Sequence, residues 1–265
     1  MKIGQYLLYE HNKEYKTPRA LMISEKEFNT LAETQYSDAF NIYIKTKQAI
    51  YRGDAQVDYL YAKIIEPDKI ERVSAFTYNY YTWMINYHPA WSEYPKRSII
   101  CSTAKQGSES YGTLYRIYPQ NGTKIGICPS SDIWDSFNSF LKGHSIVYKF
   151  TDVFYNLFMI FKLPSYHSTV EKFKADLDIL LHHYGNSVAN FINEILSLGI
   201  NVSIIDFWIK VFEKVYKERI SLWDYLGNVL LNPDKNNFRI ISEVSKVNKV
   251  REVWFNSSCI MEKVK

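Results

Sequence analysis

Three short segments of the chain place reactive side-chain types on stretches of strand-like composition: Tyr51-Arg52-Gly53, Cys101-Ser102-Thr103 and Arg251-Glu252-Val253-Trp254-Phe255. Between them they offer a guanidinium, two hydroxyls and a carboxylate. Other site-like patterns are poorer. Gly107 to Thr113 has the spacing of a phosphate loop but lacks the lysine that should follow Gly112. His182 and His183 are adjacent, and adjacent residues on a helix face different directions, so they do not share one ion. Cys101 has no histidine near it in sequence to act as a base and reads as a buried strand cysteine. The chain contains no Cys-x-x-Cys, His-Glu-x-x-His or Gly-x-Gly-x-x-Gly, so zinc, metalloprotease and Rossmann readings have no support and no metal is expected.

The elements that must position these residues fall into a simple sequence. Residues 1 to 49 read as a mostly helical, polar lead-in, with Ser24 three residues ahead of Glu27 as a capping box before Phe28, Leu31 and Ala32. Residues 49–53 form a short strand stopped by Gly53, and Phe76 to Tyr87 returns to helical spacing with Tyr80, Trp83, Met84 and Tyr87 on one face. Ser98 to Thr103, Thr113 to Tyr118 and Thr123 to Cys128 are strands, with Pro119 to Gly122 as the turn between the last two. A long helical block covers about 133–231, and strand-like composition resumes at Phe238 to Ile241 and Val250 to Phe255. Strands on both sides of a helical block predict an α+β single domain over 1–265, in which the block is inserted in or caps the sheet.

The chain has 265 residues, 46% hydrophobic and 23% charged, with only 10 Gly and 8 Pro, which excludes disordered and collagen-like classes. A net charge of +4 is too mild to mark the whole chain as a nucleic-acid binder. It is concentrated, however. From Pro95 to Lys124, Lys96, Arg97, Lys105, Arg116 and Lys124 face the single acid Glu109, and an anionic ligand would suit that stretch. Three widely spaced cysteines suggest no disulfide framework, and neither a secretory leader nor a membrane-spanning run is read, so a cytoplasmic location is expected.

Taken in order, an arginine strand, a Ser-Thr strand after Tyr94-Pro95-Lys96-Arg97-Ser98, and a Glu-Val-Trp-Phe strand resemble the Arg-Ser-Glu class of mono-ADP-ribosyltransferases. Thr113 to Gly126 looks like the strand, turn and strand that follow the Ser-Thr motif there, and with Asn79-Tyr80-Tyr81-Thr82 the set is most similar to a branch found in T4-like phages and bacterial anti-phage loci. The resemblance covers about 50–128 and 238–260. It implies an ADP-ribosyltransferase-like fold of mixed sheets with a large helical insertion, and NAD as co-substrate. It also implies roles. Glu252 is the catalytic carboxylate, with Glu243 as its rival; Ser102 orients it or contacts the ribose; Thr103 supports the strand end. Arg52 binds the diphosphate, Gly53 lets the backbone approach the cofactor, and Tyr80, Tyr81 or Tyr111 walls the nicotinamide.

Two positions depart from the family pattern: Ala104 stands where a second serine is common, and Val250 where a Glu or Gln recognises the acceptor. Val250 has no hydrogen-bonding side chain and disfavours an arginine acceptor, whereas basic residues and tyrosines suit RNA or single-stranded nucleic acid. The implied function is a toxin acting on RNA in a toxin-antitoxin or anti-phage setting, with an antitoxin protein as a further partner. Transfer to a host or phage protein and a catalytically silent binding module are the rival readings.

Overall fold

The computed structural model describes residues 19–69, 80–137, 146–164, 167, 169–197, 199, 202–242 and 249–265. The class is α+β. Two compact units share the chain: Met1–Phe76, Tyr94–Asp132 and Arg239–Lys265 form the first, Thr77–Glu93 and Ile133–Phe238 the second. The expected insertion at 133–231 is thus joined by the segment at 77–93, and it stands as a unit of its own.

The first unit carries β1 (Arg19–Met22), β2 (Ile50–Asp54), β3 (Tyr61–Ile65), β4 (Ile99–Ser102), β5 (Thr113–Pro119), β6 (Ile125–Ile127), β7 (Arg239–Ile241), β8 (Glu252–Phe255) and β9 (Cys259–Lys263). They make one sheet in the order β1-β3-β9-β5-β2-β4-β8-β6-β7, antiparallel at every described pair. This corrects the expectation of mixed sheets. The long helices are gathered in the other unit, so no strand-helix-strand crossover lays two strands parallel. Nor do β5 and β6 form a hairpin. They stand four places apart in the sheet although only residues 120–124 join them, so the sheet curls until Ile117 of β5 and Ile125 of β6 enter one buried cluster.

That cluster, with Ile50, Ile99, Cys101, Tyr115, Val253, Phe255 and Met261, defines the inner face. The outer face is covered over β3, β9 and β5 by α1 (Glu25–Glu33) and α2 (Ser37–Thr46), where Phe28, Ala32 and Tyr36 pack on Tyr118 and Ile260. Ser24 caps α1, its hydroxyl accepting the Glu27 N–H at 3.1 Å.

In the second unit, α3 (Tyr80–Tyr87), α4 (Ile146–Ile160), α5 (Val170–Asn186), α6 (Val188–Ser197), α7 (Val202–Glu218) and α8 (Leu222–Tyr225), which runs on into a π-helical turn at Leu226–Leu230, surround an aromatic core. Tyr80 stacks on Phe173 with centroids 5.2 Å apart, and Trp208 meets Phe154 edge-on at 5.2 Å. Two histidines are buried in this core. His88 Nδ1 accepts the Ala90 N–H at 3.1 Å, and His167 Nε2 lies 2.7 Å from Asp176 Oδ2. Burial pushes both imidazoles below the ordinary histidine range, against the opposing pull of Asp224 and Asp176. A base whose pKa is depressed by folding is neutral in the native state and takes up a proton first in the unfolded chain. The contribution of these two groups is therefore present above about pH 6.5 and is lost as the pH falls from there toward the lowered native values. Thermal melts at pH 7.5, 6.5 and 5.5 check this: the midpoint declines over the last step, and His88→Gln flattens that decline.

Candidate functional site

Register decides which of the candidate residues can meet. Across neighbouring strands Glu262 stands opposite Arg116, Arg116 opposite Tyr51, Tyr51 opposite Ser102 and Ser102 opposite Glu252. Paired residues point to the same side, so this is one continuous polar row on the outer face, spanning β9, β5, β2, β4 and β8. Ser102 and Glu252, far apart in sequence, become direct cross-strand neighbours, roughly 4.5–5.5 Å between Cα atoms in an antiparallel pair. The end of β4 is pinned by Thr103, whose N–H reaches the Arg251 carbonyl at 2.9 Å. The Thr103 hydroxyl accepts the Arg251 N–H at 2.8 Å and donates to the Lys249 carbonyl at 2.9 Å.

Glu252 is half-buried, and its carboxylate Oε1 accepts a hydrogen bond from Arg97 Nη2 at 2.7 Å. The Arg97 side chain is only 3% exposed. Its own segment is fastened to the same strand: the Pro95 carbonyl accepts the Trp254 indole N–H at 2.7 Å, and Tyr94 stacks on that indole. Gly126, opposite Trp254 on β6, is glycine for want of space, since a Cβ there would stand 2.4 Å from the indole ring.

Arg52 lies elsewhere. It neighbours Tyr51 along the strand, so the pleat turns it to the inner face with Ile50 and Asp54. There it is 4% exposed, pairs with Asp54 Oδ2 at 3.4 Å and donates from Nη1 to the Ile100 carbonyl at 3.1 Å. Cys259 senses it in the core: burial pushes that thiol up, Cys101 adds to the effect and the Arg52 charge opposes it. The arginine expected at a diphosphate is thus held in a buried ion pair.

At Gly53 a Cβ would stand 2.1 Å from the Ser108 carbonyl oxygen, so the glycine makes room for the turns at 105–111. Those turns cover the middle of the row: the Ser108 hydroxyl donates to the Tyr51 carbonyl at 2.8 Å, and Gly107 lies close enough that a Cβ would be 2.8 Å from Ser102 Oγ. Gly53→Ala is expected to cost about 1–3 kcal/mol through this clash. Urea denaturation reads it, and an unchanged midpoint means that Ser108 is not seated on β2.

Tyr80 and Tyr81 belong to the helical unit, 2% and 0% exposed, their rings packed on Phe173 and Trp134 among other core side chains. In this arrangement both rings are spent on core packing, away from Ser102 and Glu252 in sequence and in unit. Tyr111 is 59% exposed beside the row. Glu243 lies outside the described residues, as does Asn79. The basic stretch is partly consumed by the fold: Arg97 pairs with Glu252, and Arg116 pairs with Glu262 at 2.5 Å beneath the ring of Tyr43. Lys105 is exposed, with its ammonium over the ring of Tyr51.

No protein-family model matches this chain, and no curated protein or solved structure does. Among the described residues, no group of three His, Cys, Asp or Glu side chains is placed to hold a metal ion, and no helix is long and apolar enough to cross a membrane.

The sequence places Arg97 only in the basic stretch suited to an anionic ligand, not beside Glu252, and gives Tyr51 no separate role. The signal for Tyr51 was present in the alternation: Ile50 and Arg52 share a face, and an apolar Ile50 marks that face as the inner one, leaving Tyr51 outward. Arg97 gave no comparable signal, because its segment is irregular and only packing brings it to β8.

Proposed function

We propose that the protein cleaves NAD and transfers ADP-ribose, with Glu252 as the catalytic carboxylate and Ser102 beside it. The observation that carries this reading is the register of β4 on β8, which sets the hydroxyl directly opposite the carboxylate on the outer face. In NAD the C1′–N bond breaks with the electron pair returning to the pyridinium nitrogen, so nicotinamide leaves neutral and the ribose carries the positive charge. A carboxylate held beside that carbon stabilises charge that appears only in the transition state. The acceptor then forms the new bond to C1′ and gives up its proton to solvent. The residues fit the reacting end of the dinucleotide; they do not provide the expected arginine for its diphosphate, because Arg52 faces inward.

For the acceptor we favour RNA or single-stranded nucleic acid. Val250 is 44% exposed, apolar and two residues from Glu252, where a polar side chain would be needed to engage an arginine. Lys105 and the exposed Tyr111 flank the row and suit a phosphate and an unstacked base. A toxin of this kind would arrest growth when expressed, and an antitoxin would relieve it. Nicotinamide release from NAD, measured with and without total RNA and with nucleic-acid-free lysate, tests the reading. Release stimulated by RNA supports it; stimulation by lysate protein alone moves the acceptor to protein. A folded protein that releases none is a silent binding module, a reading favoured by the cover that residues 105–111 form over Ser102.

A further inference from the structure

We propose that Arg97 is a positioning residue for this reaction: the strap Tyr94-Pro95-Lys96-Arg97-Ser98 holds the Glu252 carboxylate in one orientation. The inference rests on the transferase reading above. Glu252 opens β8, next to irregular chain, where a glutamate with several rotatable bonds would sample many rotamers. Arg97 removes that freedom through the 2.7 Å hydrogen bond to Oε1. The strap in turn has little play, because anchors lie on both sides of Arg97. On one side, Tyr94 and Pro95 engage Trp254; on the other, the Ser98 hydroxyl donates to the Pro67 carbonyl. Trp254 and Glu252 are two apart on β8 and share the outer face, so one segment grips both.

At 3% exposure Arg97 has no surface to offer a dinucleotide or a nucleic acid, which separates it from a substrate ligand. Nor is the pair explained as a source of stability, since a buried ion pair returns little net free energy over an apolar replacement. What it supplies is geometry. A fixed carboxylate needs no reorganisation as positive charge develops on the ribose, and misplacement by about 1 Å is enough to cost up to roughly 100-fold in rate.

Steady-state nicotinamide release by wild type, Arg97→Lys and Arg97→Ala tests the assignment, with the folded fraction of each measured by circular dichroism. The expected result for Arg97→Ala is a kcat lower by about 10- to 100-fold per folded molecule with KM within about threefold. Arg97→Lys retains a charge without the planar fork and falls between. Added guanidinium at millimolar concentration restores part of the kcat of Arg97→Ala and leaves Glu252→Ala inactive. A raised KM at unchanged kcat overturns the proposal in favour of substrate binding. Losses that track the folded fraction, with no guanidinium rescue in Arg97→Ala and full activity per folded molecule in Arg97→Lys, overturn it in favour of a purely structural pair. A wild type that releases no nicotinamide overturns the transferase reading, and this inference with it.

Discussion

Glu252→Gln is expected to lower nicotinamide release by about 10²- to 10³-fold while the protein remains folded, the loss typical of removing one preorganised electrostatic stabiliser. Glutamine has nearly the same shape and keeps an oxygen for the Arg97 N–H that now reaches Glu252 Oε1. The change therefore deletes the negative charge but keeps a hydrogen-bond acceptor for the buried Arg97 guanidinium, which Glu252→Ala would not do. Because the carboxylate's contribution arises in the transition state, kcat and kcat/KM should fall together. Full activity in a folded Glu252→Gln protein rejects the assignment and turns attention to Glu243.

Trp254→Ala is expected to destabilise the sheet unit by about 3–5 kcal/mol, the cost of truncating a fully buried large aromatic. The indole is 0% exposed, donates to the Pro95 carbonyl, stacks on Tyr94 and fills the space that Gly126 leaves open on β6. Collapse of that cavity is limited, because the glycine opposite has no side chain to move in. Urea denaturation followed by far-ultraviolet circular dichroism measures the loss. Trp254→Phe should cost less, about 1–2 kcal/mol, since it keeps a ring and forfeits the N–H bond to Pro95. Either substitution also loosens the strap that carries Arg97, so nicotinamide release per folded molecule should drop with it. A Trp254→Ala protein as stable as wild type would mean that residues 94–98 do not rest on β8.

Much of the architecture was legible because it depends on local pattern. Strand-like composition marked 49–53, Ser98 to Thr103 and Val250 to Phe255 as strands, and spacing of three and four marked the helical block. Less legible were β1, β3 and β9, which are short; Tyr61-Ala62-Lys63-Ile64-Ile65 alternates, but five residues are a weak signal against a background of turns. A carboxylate and a hydroxyl capable of chemistry could be named from residue type alone, and so could an arginine.

Which arginine meets the carboxylate was decided only by the tertiary structure. A strand's sequence states that Tyr51 and Arg52 face opposite ways, but the inner face is chosen by what the described strands bury together when the sheet curls. That choice turned Arg52 inward to Asp54 and left Ser102 and Glu252 outward, while an irregular strap with no periodicity of its own carried Arg97 to Glu252. Backbone periodicity is a property of neighbouring residues and can be read from them. A contact between positions 97 and 252 exists because strand pairing and packing bring distant chain together, and no local pattern encodes it.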